Sequence, residues 1–160
     1  MIVKIAKKGD LTKCGNWRGI TLLSVFGKVL GRVIITRISD GIDAKLRREQ
    51  AGFRRNRSTG EHIFVLRNII EQSIEWNSPL YTCFIDFEKA FDSVHRTTLW
   101  NVMRHYGIPQ KIVDIVKAMY VDSKCAVIDD GQESDWFDVK SGVRQGCNMS
   151  GFFFYLLLIG

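Results

Sequence analysis

The sequence predicts an α+β chain. Three observations carry that reading. Four segments place apolar residues at helical spacing, three short runs are rich in apolar, aromatic and β-branched residues, and turn residues rather than long linkers separate them. The 160 residues are 46% hydrophobic and 25% charged, which suits one domain or part of a larger one and excludes a disordered chain. Only two prolines are present, so a Pro-rich linker is excluded too.

Residues 1–19 read as irregular, with Gly9-Asp10 and Gly15-Asn16 as turn signals. A helix is expected from Thr21, because Leu22, Phe26, Val29, Leu30 and Val33 recur at helical spacing until Ser39-Asp40-Gly41. A second helix starts near Ser58-Thr59, with Glu61 in its first turn and Ile63, Leu66, Ile70 and Ile74 as its apolar stripe. Asn77-Ser78-Pro79 stops it. The run Leu80–Ile85 reads as a buried strand. Two short helices follow, one on Leu99, Val102, Met103 and Tyr106, the other on Ile112, Ile115, Val116 and Met119. Gly107 and Pro109 separate them. Lys124–Ile128 and Asp135–Val139 read as strands of a hairpin turning at Asp130-Gly131. Phe152–Ile159 reads as the start of a buried helix that would expose an apolar patch. At eight residues it is the longest apolar stretch, and a membrane span needs about 20, so no membrane partner is expected. No signal peptide is expected at the N-terminus.

Cys14, Cys83, Cys125 and Cys147 are widely spaced, with no C-x-x-C, so buried free thiols in a reducing compartment are expected rather than zinc ligands or disulfides. His62, His95 and His105 match no ligand spacing. Trp17, Trp76, Trp100 and Trp136 read as packing residues.

Charge is unevenly distributed. Residues 1–60 carry 14 Lys+Arg against 4 Asp+Glu, and residues 61–160 carry 9 against 13. Such asymmetry suggests a polyanion partner. Arg54, Arg55 and Arg57 form the densest basic run, and the planar guanidinium suits phosphate. A solvated basic loop is the plainer alternative. Phe53 beside them is either a base-stacking platform or a core residue.

Asp86 directly follows the run Leu80–Ile85. A carboxylate at the end of an apolar strand must be paired, solvated or bound to a cation. It is therefore either a metal ligand at the mouth of a sheet, or a helix cap or partner of Lys89.

Four segments in order resemble the reverse transcriptases of LINE-type (non-LTR) retrotransposons. Phe84-Ile-Asp-Phe-Glu-Lys-Ala-Phe-Asp-Ser-Val94 is similar to the family's first catalytic-Asp motif. Asn16-Trp-Arg-Gly-Ile-Thr-Leu-Leu23 resembles its Asn-aromatic-Arg-Pro-Ile-Ser-Leu-Leu block. Gln50-Ala-Gly-Phe-Arg54 with Arg57-Ser-Thr59 resembles its fingers motif. Gly142-Val-Arg-Gln-Gly-Cys147 resembles its Gly-Val-Arg-Gln-Gly-Cys-Pro-Leu-Ser-Pro block.

The resemblance implies a partial right-hand polymerase fold, with basic helical fingers over residues 1–78 and an incomplete palm with a small antiparallel sheet over 79–160. It implies RNA-directed DNA synthesis on an RNA template and DNA primer with deoxynucleoside triphosphates, two Mg²⁺ ions in the complete enzyme, and nuclear action. Asp86 and the backbone carbonyl of Phe87 would contact metal, and Phe91 would be the steric gate against a 2′-hydroxyl. Gln145 and Gly146 would line the nucleotide and template pocket. Arg18, Arg54 and Arg57 would touch template or triphosphate, with Phe53 and Arg144 grouped with them.

The sequence departs from that pattern in places. The family's aromatic-x-Asp-Asp hairpin lies downstream of the Gln-Gly block, and no such motif follows Gly146 here. Asp129-Asp130 precedes the block and reads as turn chemistry. This chain is therefore expected to be inactive alone. Cys147-Asn-Met-Ser-Gly151 lacks both prolines of the family's loop, so that loop is expected to be looser, and Gly19 replaces the first block's proline. The alternative function is a non-catalytic, nucleic-acid-binding relic of a retroelement.

Overall fold

The computed structural model describes residues 1–159. Strands β1 (Ile2–Ala6) and β2 (Trp17–Thr21) come first, joined through a 3-10 turn at Cys14–Asn16. Helices α1 (Val25–Asp43), α2 (Thr59–Glu75), α3 (Arg96–His105) and α4 (Gln110–Ala118) follow. Four short strands come next: β3 (Lys124–Cys125), β4 (Val127–Asp129), β5 (Gln132–Glu133) and β6 (Phe137–Asp138). Helix α5 (Ser150–Ile159) closes the described chain. The architecture is α+β.

One sheet has the order β2-β1-β4-β5, and β3 pairs with β6 in a second. The first is mixed rather than purely antiparallel, because β1 runs parallel to β4, with Ile2 opposite Val127. The expectation of an irregular first 19 residues is thus overturned. Ile2–Ala6 is too short to advertise a strand, yet it gains two ladder partners, β2 and β4. Ion pairing reinforces the join, with Lys4 Nζ 2.5 Å from Asp129 Oδ2 and 4.4 Å above the Trp17 ring.

The hairpin holds at its turn. Asp130 and Gly131 both have positive φ, 47° and 79°, as a two-residue turn of primed type requires. The expected strand Lys124–Ile128 is split into β3 and β4, however, while Asp135–Val139 shortens to β6 and the partner of β4 across the turn is the unexpected β5. β4 pairs locally with β5, whereas Lys124 and Cys125 cross to Asp138 and Phe137.

The core lies among α1, α3, α4 and α5. Leu99 and Met103 of α3, Val113 and Val116 of α4, and Phe153 and Leu156 of α5 are fully buried. Each such side chain contributes about 1.5–3 kcal/mol by leaving water. Helix α5 is thus mostly enclosed, contrary to the expected exposed patch there; Leu158 is exposed.

The exposed apolar surface lies elsewhere. Ser24 caps α1 by accepting from the Gly27 amide at 3.2 Å, so the helix begins later than Thr21, which ends β2. Its buried stripe is Gly31, Ile34, Ile38 and Ile42, displaced around the helix from the expected one. Phe26, Val29, Leu30 and Val33 face outward. Helix α2 starts at the Ser58 cap as expected, but none of its side chains is buried. The expected strand Leu80–Ile85 makes no ladder; Tyr81, Phe84 and Ile85 are exposed. Its apolar composition is right for a strand, but among the described residues no neighbouring backbone pairs with it. Cys125 and Cys147 are buried and free as expected, while Cys14 and Cys83 are exposed. Trp100 is buried; Trp76 and Trp136 are exposed, so they do not pack as expected.

Candidate active site

Three of the motif segments meet the fourth, the loop of residues 142–149, and the first turn of α5 that follows it. The Val143 amide donates to the Phe91 carbonyl at 2.8 Å, and the Gly142 amide to the Val94 carbonyl at 2.9 Å. These bonds tie the loop to the segment that carries Asp86. On the other side, the Thr21 amide at the sheet edge donates to the Gln145 carbonyl at 2.6 Å. The Phe53 ring lies against Gly151, where any added side chain would collide with it.

Glycine is required at two places in this loop. Gly142 has φ +76°, and a Cβ there would sit 2.8 Å from Asp92 Cα. Gly146 has φ +106°, and a Cβ there would sit 2.7 Å from the Thr21 carbonyl oxygen. Both combine a left-handed backbone with a close approach of another chain segment.

Asp86 is exposed and makes no ion pair, with Lys89 or any other group, among the described residues. No three His, Cys, Asp or Glu side chains among the described residues stand together so as to hold a metal ion. Phe87 and Phe91 both pack on Phe154 of α5, with ring centres 5.8 Å and 5.6 Å away. The Phe91 ring is thereby fixed by the same helix that follows the Gln145–Gly146 loop. Gln145 is half-buried and Gly146 exposed.

The arginines divide into two groups. Arg18 and Arg57 are exposed. Arg54 is enclosed, its side chain 7% exposed, with Nε 2.5 Å from Asp43 Oδ1 and its Nη atoms donating to the carbonyls of Arg47 and Asp43. That hydrogen bond holds the Asp43 carboxyl below the usual carboxylate range. Arg144 is likewise turned into the protein, where Nη2 donates to the Met119 carbonyl at 2.7 Å. In this arrangement Arg54 and Arg144 spend donors on protein groups, and Arg18 and Arg57 keep theirs toward solvent.

A cavity of about 490 Å³ lies between α1, the 53–56 loop and α5. Arg32, Arg55, Phe53, Asn148 and Tyr155 are among its lining residues. The Tyr155 hydroxyl is buried without a partner, and desolvation pushes its pKa up to about 12. The loop that lacks the two prolines is tied to α1 by a side chain. Asn148 Nδ2 donates to the Lys28 carbonyl at 3.0 Å, and Asn148 sits where Gly31 leaves room in α1. Sequence reasoning passed over Asn148, Arg96 and Tyr120, because their partners are distant in the chain.

The α+β chain thus brings an acidic segment, a Gln-Gly loop and a basic loop to one junction. The family model for reverse transcriptase (RNA-dependent DNA polymerase) matches residues 5–159, and the chain belongs to that family. It is 29% identical over 147 residues to the transposon TX1 uncharacterized 149 kDa protein of Xenopus laevis, covering 92% of this chain and 11% of that protein. It is 26% identical over 155 residues to the Pol polyprotein from retrotransposable element R2 of Popillia japonica, covering 96% and 22%. The RNA-directed DNA polymerase from mobile element jockey of Drosophila funebris is 29% identical over 148 residues, covering 91% and 16%. The chain thus spans about a tenth to a fifth of the length of these relatives.

Proposed function

We propose that this chain is the fingers and part of the palm of a retrotransposon RNA-directed DNA polymerase, acting in the nucleus on an RNA template, a DNA primer and deoxynucleoside triphosphates. The observation that carries the reading is the meeting of three motif segments on the fourth, the Gln-Gly loop, and the start of α5. Residues 1–78 serve as fingers and 79–160 as palm, joined through the β1–β4 ladder.

Asp86 and the Phe87 carbonyl act as donors toward Mg²⁺, which in such enzymes neutralises charge on the transferring phosphates. Phe91, braced on Phe154, walls the sugar side of the nucleotide pocket, and its bulk disfavours a 2′-hydroxyl. Gln145 and Gly146 border the same pocket, since their loop is bonded to the Phe91 backbone. Arg18 and Arg57 meet phosphates, Phe53 offers a stacking face, and Arg54 shapes the loop that presents them.

The test is binding of an RNA–DNA hybrid at several salt concentrations. A phosphate-driven site weakens steeply as salt rises, and removing Arg18 or Arg57 lowers the logarithmic slope by about 0.9 for each phosphate no longer neutralised. Salt-independent affinity, or none, refutes the fingers assignment.

A further inference from the structure

We propose that Arg96, Tyr120 and Arg144 form a clamp that positions the Gln145–Gly146 loop. The proposal rests on the nucleotide-pocket reading for what the loop does, and on geometry alone for what holds it. Tyr120, just beyond α4, is 6% exposed. Two guanidiniums lie by its ring, Arg96 with its central carbon 4.9 Å from the ring centre and Arg144 at 5.2 Å. They arrive from opposite sides of the chain. Arg96 opens α3 and reaches into the loop, where Nε donates to the Gly142 carbonyl at 2.9 Å and Nη2 to the Ser141 carbonyl at 3.1 Å. Arg144 leaves the loop and reaches back, Nη2 donating to the Met119 carbonyl at 2.7 Å. Arg96 thus fastens the segment of Arg144, Arg144 fastens the segment of Tyr120, and the Tyr120 ring is the surface both use.

Neither guanidinium has a carboxylate partner among the described residues. Carbonyl dipoles and the face of one aromatic ring take the place of a counter-charge, the setting in which a cation–π contact is worth most. Lysine cannot substitute, because a point charge lacks the planar fork that bonds and stacks at once. The Arg144 backbone is fixed as well, its carbonyl accepting from Ser150 Oγ at 2.7 Å and from the Cys147 amide at 3.0 Å. Residue 144 is therefore held at side chain and main chain, and Gln145 follows it directly. Arg144 acts here as a positioning residue, not as a phosphate contact. The Tyr120 carbonyl accepts a long bond from Arg96 Nη1 at 3.4 Å. The hydroxyl, with Ser150 and the Arg144 backbone as its polar neighbours, is buried without a partner at hydrogen-bond geometry. Within the side chain it is therefore the ring that holds the two guanidiniums.

Amide hydrogen exchange on the 160-residue chain tests the clamp. In Tyr120→Phe the amides of Thr21, Gly142 and Val143 keep wild-type protection. In Tyr120→Leu and Arg144→Lys the protection of those amides falls about thirtyfold, the weight of one desolvated cation–π interaction, while amides of α3 and α4 keep theirs. A fall spread evenly over the chain, or none at the loop, overturns the clamp, as does Tyr120→Phe behaving like Tyr120→Leu. Titration with Mg²⁺ and 2′-deoxyadenosine triphosphate is the second arm. Affinity falls in Arg144→Lys and is retained in Tyr120→Phe. If wild type does not bind this triphosphate, the nucleotide-pocket reading fails and the exchange data still decide the clamp. If the loop loosens with affinity unchanged, the positioning role is overturned.

Discussion

The Thr21 amide donates to the Gln145 carbonyl at 2.6 Å, bonding the outer edge of the sheet to the Gln-Gly loop. The bond joins segments more than a hundred residues apart in sequence, and it is possible only because Gly146 lets the two backbones approach.

Gly146→Ala tests that approach directly. The new methyl would meet the Thr21 carbonyl oxygen at 2.7 Å in a backbone held at φ +106°. A loss of about 1–3 kcal/mol is expected from the backbone strain alone. Urea denaturation measures it, and an unchanged midpoint would sink the proposed approach.

Gly31 and Asn148 should behave as a coupled pair. Gly→Ala inside a helix ordinarily stabilises by about 0.5–1 kcal/mol. At position 31 the methyl collides with the Asn148 side chain, so Gly31→Ala is expected to destabilise. Asn148→Ala alone costs about 0.5–1.5 kcal/mol by removing the bond to the Lys28 carbonyl. The double variant should be more stable than additivity allows. A double-mutant cycle in thermal unfolding reads this coupling, and strict additivity counts against it.

Acid should release the 52–57 loop. The Asp43 carboxyl is held below its ordinary value chiefly by the hydrogen bond from Arg54. Its folded value therefore lies under the unfolded value of about 3.9. The pair's stabilisation is complete above that pH and is lost as pH falls through the folded value. Amide exchange at Arg54 and Arg55, followed from pH 6 downward to about pH 2, should rise in that window. Asp43→Asn should remove the dependence.

Asp86→Asn should leave the fold intact. The side chain is exposed and unpaired among the described residues, so the expected change in stability is within about 0.5 kcal/mol. The 160-residue chain should also fail to extend a primer on an RNA template, since one carboxylate compensates two Mg²⁺ ions poorly. Template-dependent incorporation that disappears in Asp86→Asn would show the metal centre to be complete as it stands.

Local signals in the sequence located the helices well. Ser58 as a cap, Gly107 with Pro109 as a stop, and Asp130-Gly131 as a turn act within a few residues, and each is found where expected. The motif spellings around Asp86 and Gln145 were equally legible and led to the family now matched over residues 5–159. What the spelling left open was partnership. Periodicity says that α1 has an apolar stripe, but Phe26 and Val29 compete with Ile34 and Ile38, and only the core cluster that receives the helix decides which is buried. Leu80–Ile85 has the composition of a strand, yet a strand exists only where another backbone offers its hydrogen bonds. Ile2–Ala6 gains such partners and becomes one. Arg144 reads as a phosphate contact in a motif, and in space its donors face Met119 and Ser123. Residue type and spacing determined the elements and the chemistry available. Tertiary structure decided which donor meets which acceptor, because burial and pairing depend on neighbours that local sequence does not specify.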